Sequence, residues 1–280
     1  MAQWPGGAAA KSGNVICGMA ALDGFTETAF THDGVTRPVY RAGTGPGIIV
    51  IHEVPGITPL VAGFGRRVVD AGFTVAMPSL FGEPGRVMGM PYVMKSFTGA
   101  CVSKEFATWA LNRTSPIIDW LRALGRDLHA QAGGPGIGAV GMCLTGGFAL
   151  AMAVDDDMLA PVLSQPSLPL PLGKERSRGL GLSDADLAVV KNRVSTQNLC
   201  ILGLRFSEDR AVPDARWARY GEEFGDNFIA VDIDSSSGNP HGIKKSAHSV
   251  LTEHLVDEPG HPSKDALDRV LAFFHDKLAS

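Results

Sequence analysis

From Gly47 onward the chain alternates between short, continuously apolar runs and longer segments in which apolar residues recur every three or four positions. The runs are Gly47-Ile-Ile-Val-Ile-His52, Phe73-Thr-Val-Ala-Met77, Gly138-Ala-Val-Gly-Met142, Ala160-Pro-Val-Leu-Ser164, Leu199–Leu204 and Asn227–Ile233. Apolar stretches of this length predict strands buried on both faces. Between them, Leu60, Phe64, Val68 and Val69 fall on one side of a helix predicted over Pro59–Ala71, which Gly72 closes. Further helices are predicted over about Lys95–Gln131, broken at Thr114-Ser-Pro116, over Phe148–Val154, and over Asp184–Arg193, with Ser183 as N-cap. Two more cover Pro213–Phe224, with Trp217, Tyr220 and Phe224 on one side, and Lys264–Leu278, with Leu267, Val270, Leu271, Phe274 and Leu278 in one stripe. Upstream, two β-prone runs flank Asp33-Gly34 and predict a hairpin.

Strand and helix in alternation imply an α/β fold, a mostly parallel sheet with helices on both faces. Residues 1–25 read as a loosely ordered lead-in and residues 26–280 as a single α/β domain. At 45% hydrophobic and 19% charged, the chain can bury a sizeable core. A net charge of −4 without a Lys/Arg cluster argues against nucleic acid or an anionic membrane as partner. There is no apolar run of about 18 residues to cross a bilayer, and no basic-then-apolar leader at the start. The cysteines, Cys17, Cys101, Cys143 and Cys200, show neither a CxxC nor a metal-type spacing. We therefore expect a reduced, cytoplasmic protein, a monomer or homodimer, with no metal and no cofactor. Cys200, inside an apolar run, is expected in the core.

The candidate chemistry centres on Gly138-Ala-Val-Gly-Met-Cys143-Leu-Thr-Gly-Gly147, a strand that turns at once into a helix. Small residues let the backbone approach itself, and the residue at the apex is lifted clear in a strained conformation. It also sits at a helix N-terminus, which favours negative charge. A thiol there needs a base, and the base needs an orienting acid. Asp209 follows the strand Leu199–Leu204, with Glu208 and Asp214 as neighbours. His248 follows the last strand, with His241, His254 and His261 nearby. The order Cys143, Asp209, His248 is the chain order of α/β-hydrolases.

With Glu53 in His-Glu-Val-Pro-Gly-Ile, Ala76-Met-Pro-Ser-Leu-Phe81, Gly-Met-Cys143-Leu-Thr-Gly-Gly, Asp209-Arg-Ala-Val-Pro and Ala-His248-Ser all in order, the sequence resembles the dienelactone hydrolase family, a cysteine-nucleophile branch of the α/β-hydrolase fold. The resemblance runs from about Gly47 to the C-terminus. It implies that Cys143 attacks a lactone or ester carbonyl, that His248 serves as base and then acid, and that Asp209 holds it. Glu53 would contact the resting thiol and help switch it on. The N–H groups of Leu144 and Val54 would form the oxyanion hole, as the geometry of such an elbow also predicts.

Two departures stand out. Thr145 takes the place of a glycine after Cys-Leu. No arginine follows His248, where the founding enzymes bind a substrate carboxylate, which leaves Arg86 and Arg113 as candidates from elsewhere and speaks against dienelactone itself as the substrate. The Pro-rich segment 165–181 is a candidate lid. The expected activity is hydrolysis of a small lactone or carboxylic ester. Carboxylesterase or thioesterase action on the same residues and a non-catalytic binding protein on this fold are the alternatives. Gly136-Ile-Gly-Ala-Val-Gly141 spells the dinucleotide fingerprint, but it coincides with a predicted strand instead of following one, so NAD binding is not expected.

Overall fold

The computed structural model describes residues 21–89, 91–94, 96, 115–168 and 177–279. Thr26–His32 (β1) and Val35–Ala42 (β2) form the hairpin. Gly47–Ile51 (β3), Pro59–Asp70 (α1), Thr74–Pro78 (β4), Pro116–Ala132 (α2) and Ile137–Met142 (β5) follow. A 3₁₀ turn, Cys143–Thr145, leads into Gly146–Met152 (α3). Then come Met158–Ser164 (β6), Asp184–Gln197 (α4), Ile201–Phe206 (β7), Asp214–Phe224 (α5), Phe228–Ile233 (β8) and Pro262–Leu278 (α6). The eight strands make one sheet in the order β1-β2-β4-β3-β5-β6-β7-β8. The β1–β2 and β2–β4 pairs are antiparallel, and every pair from β4 through β8 is parallel.

The continuous apolar runs are explained by burial on both faces. In β3, Ile49 and Ile51 point into one core with Trp120 of α2, Phe148 of α3, Val190 of α4 and Trp217 of α5. Their neighbours Ile48 and Val50 point into the other, with Phe64 of α1 and Phe274 of α6. The same two-residue alternation recurs in β5 and β6, as a pleated strand between two helical layers requires. Gly138 and Gly141 lie inside β5 and Gly136 just before it, so the apparent dinucleotide fingerprint belongs to a central strand.

Element boundaries moved by one to four residues at several places. Strand β4 runs one residue past the predicted Met77, to Pro78, which pairs with Val39. Helix α4 extends to Gln197 and closes on Asn198 in the left-handed region. Strand β7 starts at Ile201, which leaves Cys200 partly exposed just outside it, so the expectation that Cys200 is core is corrected. Of the helical region expected from about Lys95, residues 116–132 are helical as described. Residues 97–114, including Cys101 and Arg113, lie outside the described residues, as do residues 1–20 and residues 169–176 of the candidate lid.

One buried cation fixes the side of the sheet away from the strand ends. The Arg193 guanidinium of α4 donates to the carbonyls of Ala153 (2.8 Å), Met158 (3.0 Å), Asp156 (3.0 Å) and Asp155, and so closes the α3–β6 connection. Burial lowers its pKa, against the charges of Asp156, Asp157 and Asp155. Replacing it leaves several carbonyls without donors. Arg193→Met is expected to lower stability by about 3 kcal/mol, measured by urea unfolding, while activity of the folded fraction is unchanged.

Candidate active site

The C-terminal ends of β3, β5, β6, β7 and β8 gather one site, as open α/β sheets do. At its centre Cys143 holds φ at +55° between β5 and α3. A non-glycine residue rarely adopts that region, and here packing on both sides imposes it. A Cβ on Gly141 would stand 2.1 Å from the Thr145 carbonyl oxygen, and one on Gly146 would stand 2.5 Å from Pro166 Cα. Only hydrogen fits at either place.

Thr145 is the first departure from the family pattern, and it ties the elbow together. Its hydroxyl is buried and lies 2.9 Å from the Met142 carbonyl, 3.1 Å from that of His52 and 3.2 Å from that of Ile51. It accepts from the Met142 amide at 3.1 Å. The elbow of β5 is thus fastened to the end of β3.

His248 lies close enough to Cys143 for the sulfur's charge to act on its imidazole. Its Nδ1 is 2.6 Å from Asp209 Oδ2, which leaves Nε2 for the sulfur. Asp209 Oδ1 accepts from the Ala211 amide at 2.9 Å, so the carboxylate is fixed at both ends. Burial pulls the His248 pKa down, but a negative charge on Cys143 and the hydrogen bonds to Asp209 and Cys143 overcome it. The net result is well above 6.5. The imidazole is therefore built to carry a proton beside an anion. Among the competitors, Glu208 pairs with Lys245 at 3.4 Å and Asp214 with Arg205 at 2.7 Å.

The hydrogen bonds of Glu53 run to partners other than the thiol that the resemblance implied. Glu53 is 1% exposed. Its carboxylate accepts from Ser249 Oγ at 2.7 Å, from Gln165 Nε2 at 3.2 Å and from Thr252 Oγ1. Three donors share its two oxygens, and they join the loops after β3, β6 and β8. Besides His248, the sulfur meets Ser167 Oγ at 3.4 Å.

The two expected oxyanion donors lie on the elbow and on the loop after β3. Leu144 is the middle residue of the 3₁₀ turn, and Val54 lies on that loop. Arg86 is committed elsewhere. It pairs with Glu83 at 2.8 Å and covers the Tyr92 ring at 4.3 Å.

Two histidines missed as site residues hold the frame. His254 Nδ1 accepts from the amides of His248 (3.3 Å) and Ser249 (3.2 Å), so a neutral imidazole closes the His248 loop. Its pKa is lowered, by burial first and also by the nearby His248 charge. His52 is fully buried, with Nε2 accepting from the Leu80 amide at 3.0 Å and Nδ1 donating to the Glu53 carbonyl at 2.9 Å. Both ring nitrogens are satisfied only in the neutral form.

No helix among the described residues is long and apolar enough to cross a membrane. The family model for the dienelactone hydrolase family matches residues 35–278. The chain belongs to the dienelactone hydrolase family. Among solved structures, a putative dienelactone hydrolase from Klebsiella pneumoniae is 18% identical with a TM-score of 0.60, covering 89% of this chain and 97% of that one. A dienelactone hydrolase-like promiscuous phosphotriesterase from metagenomic libraries is 16% identical with a TM-score of 0.58, covering 91% and 98%. A cold-adapted esterase from an Arctic intertidal metagenomic library is 14% identical with a TM-score of 0.54, covering 90% and 93%. At such identities these structures establish the α/β-hydrolase fold, which the strand order here shares. No curated protein sequence matches the chain. Family membership makes this chain a hydrolase-family protein.

Burial lowers the His52 pKa from 6.5 to about 4, against the hydrogen bond to the Glu53 carbonyl. Because its folded value is the lower one, its contribution is fully present above pH 6.5 and is lost as pH falls toward 4. Over that window wild type should lose on the order of 3 kcal/mol from this residue. Urea unfolding at pH 7 and pH 4.5 is expected to show a smaller pH difference for His52→Gln than for wild type. Equal differences would assign the acid sensitivity elsewhere.

Proposed function

We propose that the protein hydrolyses small carboxylic esters or lactones through an acyl-thioester on Cys143. The observation that carries the reading is a cysteine held at positive φ on a strand–helix elbow, against an imidazole that Asp209 grips from behind.

In this reading the Cys143 thiolate attacks the carbonyl carbon, and the carbonyl π electrons move onto oxygen. The N–H groups of Leu144 and Val54 receive that oxyanion. The tetrahedral species collapses, the carbon–oxygen bond to the leaving alkoxide breaks, and His248 Nε2 gives it a proton. For a lactone the alcohol remains on the acyl chain. Water then attacks the thioester, His248 takes its proton, and the thiolate leaves.

Glu53 acts as a brace in this scheme. Its carboxylate fixes the loops that carry Val54 and His248, so it positions the machinery without touching the sulfur. Thr252, shortly after His248, is spent on Glu53. Arg86 is engaged by Glu83. Neither offers a cation to a substrate carboxylate, and this favours uncharged esters or lactones over dienelactone itself. Location in the cytoplasm remains part of this proposal, resting on the cysteine usage alone.

A panel of lactones and aryl esters tests the reading. Cys143→Ala is expected to abolish turnover with its unfolding curve preserved. Asp209→Asn would present an N–H to His248 Nδ1 and select the wrong tautomer, so activity should fall roughly 10²- to 10⁴-fold. His248→Ala should remove the fast iodoacetamide labelling of Cys143 at pH 7, followed by mass spectrometry of the Cys143 peptide. Turnover that survives in Cys143→Ala would overturn the thiol mechanism.

A further inference from the structure

The sulfur has a second polar neighbour that the mechanism above does not use. Ser167 Oγ lies 3.4 Å from Cys143 Sγ, in a residue only 7% exposed. The contact is also not a loose one, because the turn Gln165-Pro-Ser167 after β6 is pinned at each residue.

Gln165 extends the sheet ladder, its amide donating to Leu204 O at 2.7 Å. Its side chain accepts from the Val250 amide at 3.3 Å and donates to Glu53 at 3.2 Å. The Pro166 carbonyl accepts from the buried Arg216 guanidinium at 3.1 Å. The Ser167 amide donates to the Cys143 carbonyl at 2.9 Å. Pro166 also packs on Gly146 at a distance that no side chain could share. Gln165 holds φ at +36° in this turn. A non-glycine residue in that region is costly and persists only where its surroundings over-determine it. Here the strained residue sits two positions before the hydroxyl that meets the sulfur.

We propose that Ser167 is a catalytic residue whose hydroxyl donates to the Cys143 sulfur and stabilises its thiolate, in concert with His248. The hydroxyl proton stays on Ser167 throughout, so no bond is made or broken at that residue. A hydrogen bond to an ionised partner favours the charged form. The sulfur loses its charge when it attacks and regains it when the thioester is cleaved. Ser167 therefore assists formation of the nucleophile and its departure in the second step. The role rests on Cys143 being the nucleophile.

The test measures the rate of iodoacetamide labelling at Cys143 against pH, by mass spectrometry, in wild type, Ser167→Ala and Ser167→Thr, alongside aryl-ester turnover. Labelling of Cys200 serves as the internal control. Ser167→Ala is expected to move the midpoint of the Cys143 curve upward by about one pH unit and to lower turnover at pH 7 about tenfold, with Cys200 unchanged. Ser167→Thr keeps a hydroxyl and should restore most of both. Gly146→Ala, which pushes Pro166 away, should move the midpoint in the same direction as Ser167→Ala. An unchanged midpoint in Ser167→Ala overturns the proposal, even if turnover falls, because the hydroxyl would then act on the substrate oxygen or not at all. Loss of turnover in Cys143→Ala together with an unchanged Ser167→Ala midpoint would sink this inference and leave the hydrolase reading standing.

Discussion

The site depends on a single crowded turn. Raising Cys143 into the left-handed region is unfavourable for a residue with a Cβ, and nothing local to the cysteine repays it. The compensation comes from its neighbours. Gly141 lets the Thr145 carbonyl come in close, and Gly146 lets helix α3 press on Pro166. The Thr145 hydroxyl locks the closed turn to β3. Relaxing any one of these would let Cys143 slip toward ordinary backbone angles and carry its sulfur away from His248.

Around that turn the frame is held by side chains that bring their own electrostatic costs. A carboxylate as deeply buried as Glu53 is unfavourable unless every lone pair direction is answered. Here the answers are neutral donors from two distant loops, with Ser249 lying 196 residues along the chain. Together they tie the loops after β6 and β8 to the loop that carries Glu53.

Much of this was legible in the sequence, because the fold is written in periodicities that survive without tertiary information. Apolar runs such as Ile48–Ile51 read as strands covered on both faces, and Cys143, Asp209 and His248 follow β5, β7 and β8 in chain order. What failed did so for nameable reasons. Cys200 looked buried because its run is apolar, but the strand begins one residue later. Glu53 was assigned to the thiol on the family resemblance, whereas the partners that hold it, Ser249 and Thr252, arrive from the far end of the chain. Ser167 was hidden in a Pro-rich segment read as a lid. The signal available was that β6 neighbours the elbow strand, so the residues just past Ser164 had to reach the same edge. Thr145 read as a mild defect because a hydroxyl's value depends on the carbonyls that surround it.

The histidines show how far partner chemistry outweighs residue type. His52 and His248 lie on two loops that Glu53 links, yet they are driven to opposite charge states. His52 meets an amide N–H at Nε2, so protonation would set two donors against each other, and burial removes the water that could relieve the clash. His248 meets a carboxylate on one side and a sulfur on the other, so protonation gains two partners. The first arrangement holds the structure above the ordinary histidine range, and the second keeps an imidazolium in place as pH rises past it. The two demands overlap on the neutral to mildly alkaline side, where the frame is intact and, in the proposed scheme, the proton for the leaving group is still present. That window follows from which atoms face each ring, and a different residue at Leu80 or Asp209 would shift it only by changing those atoms.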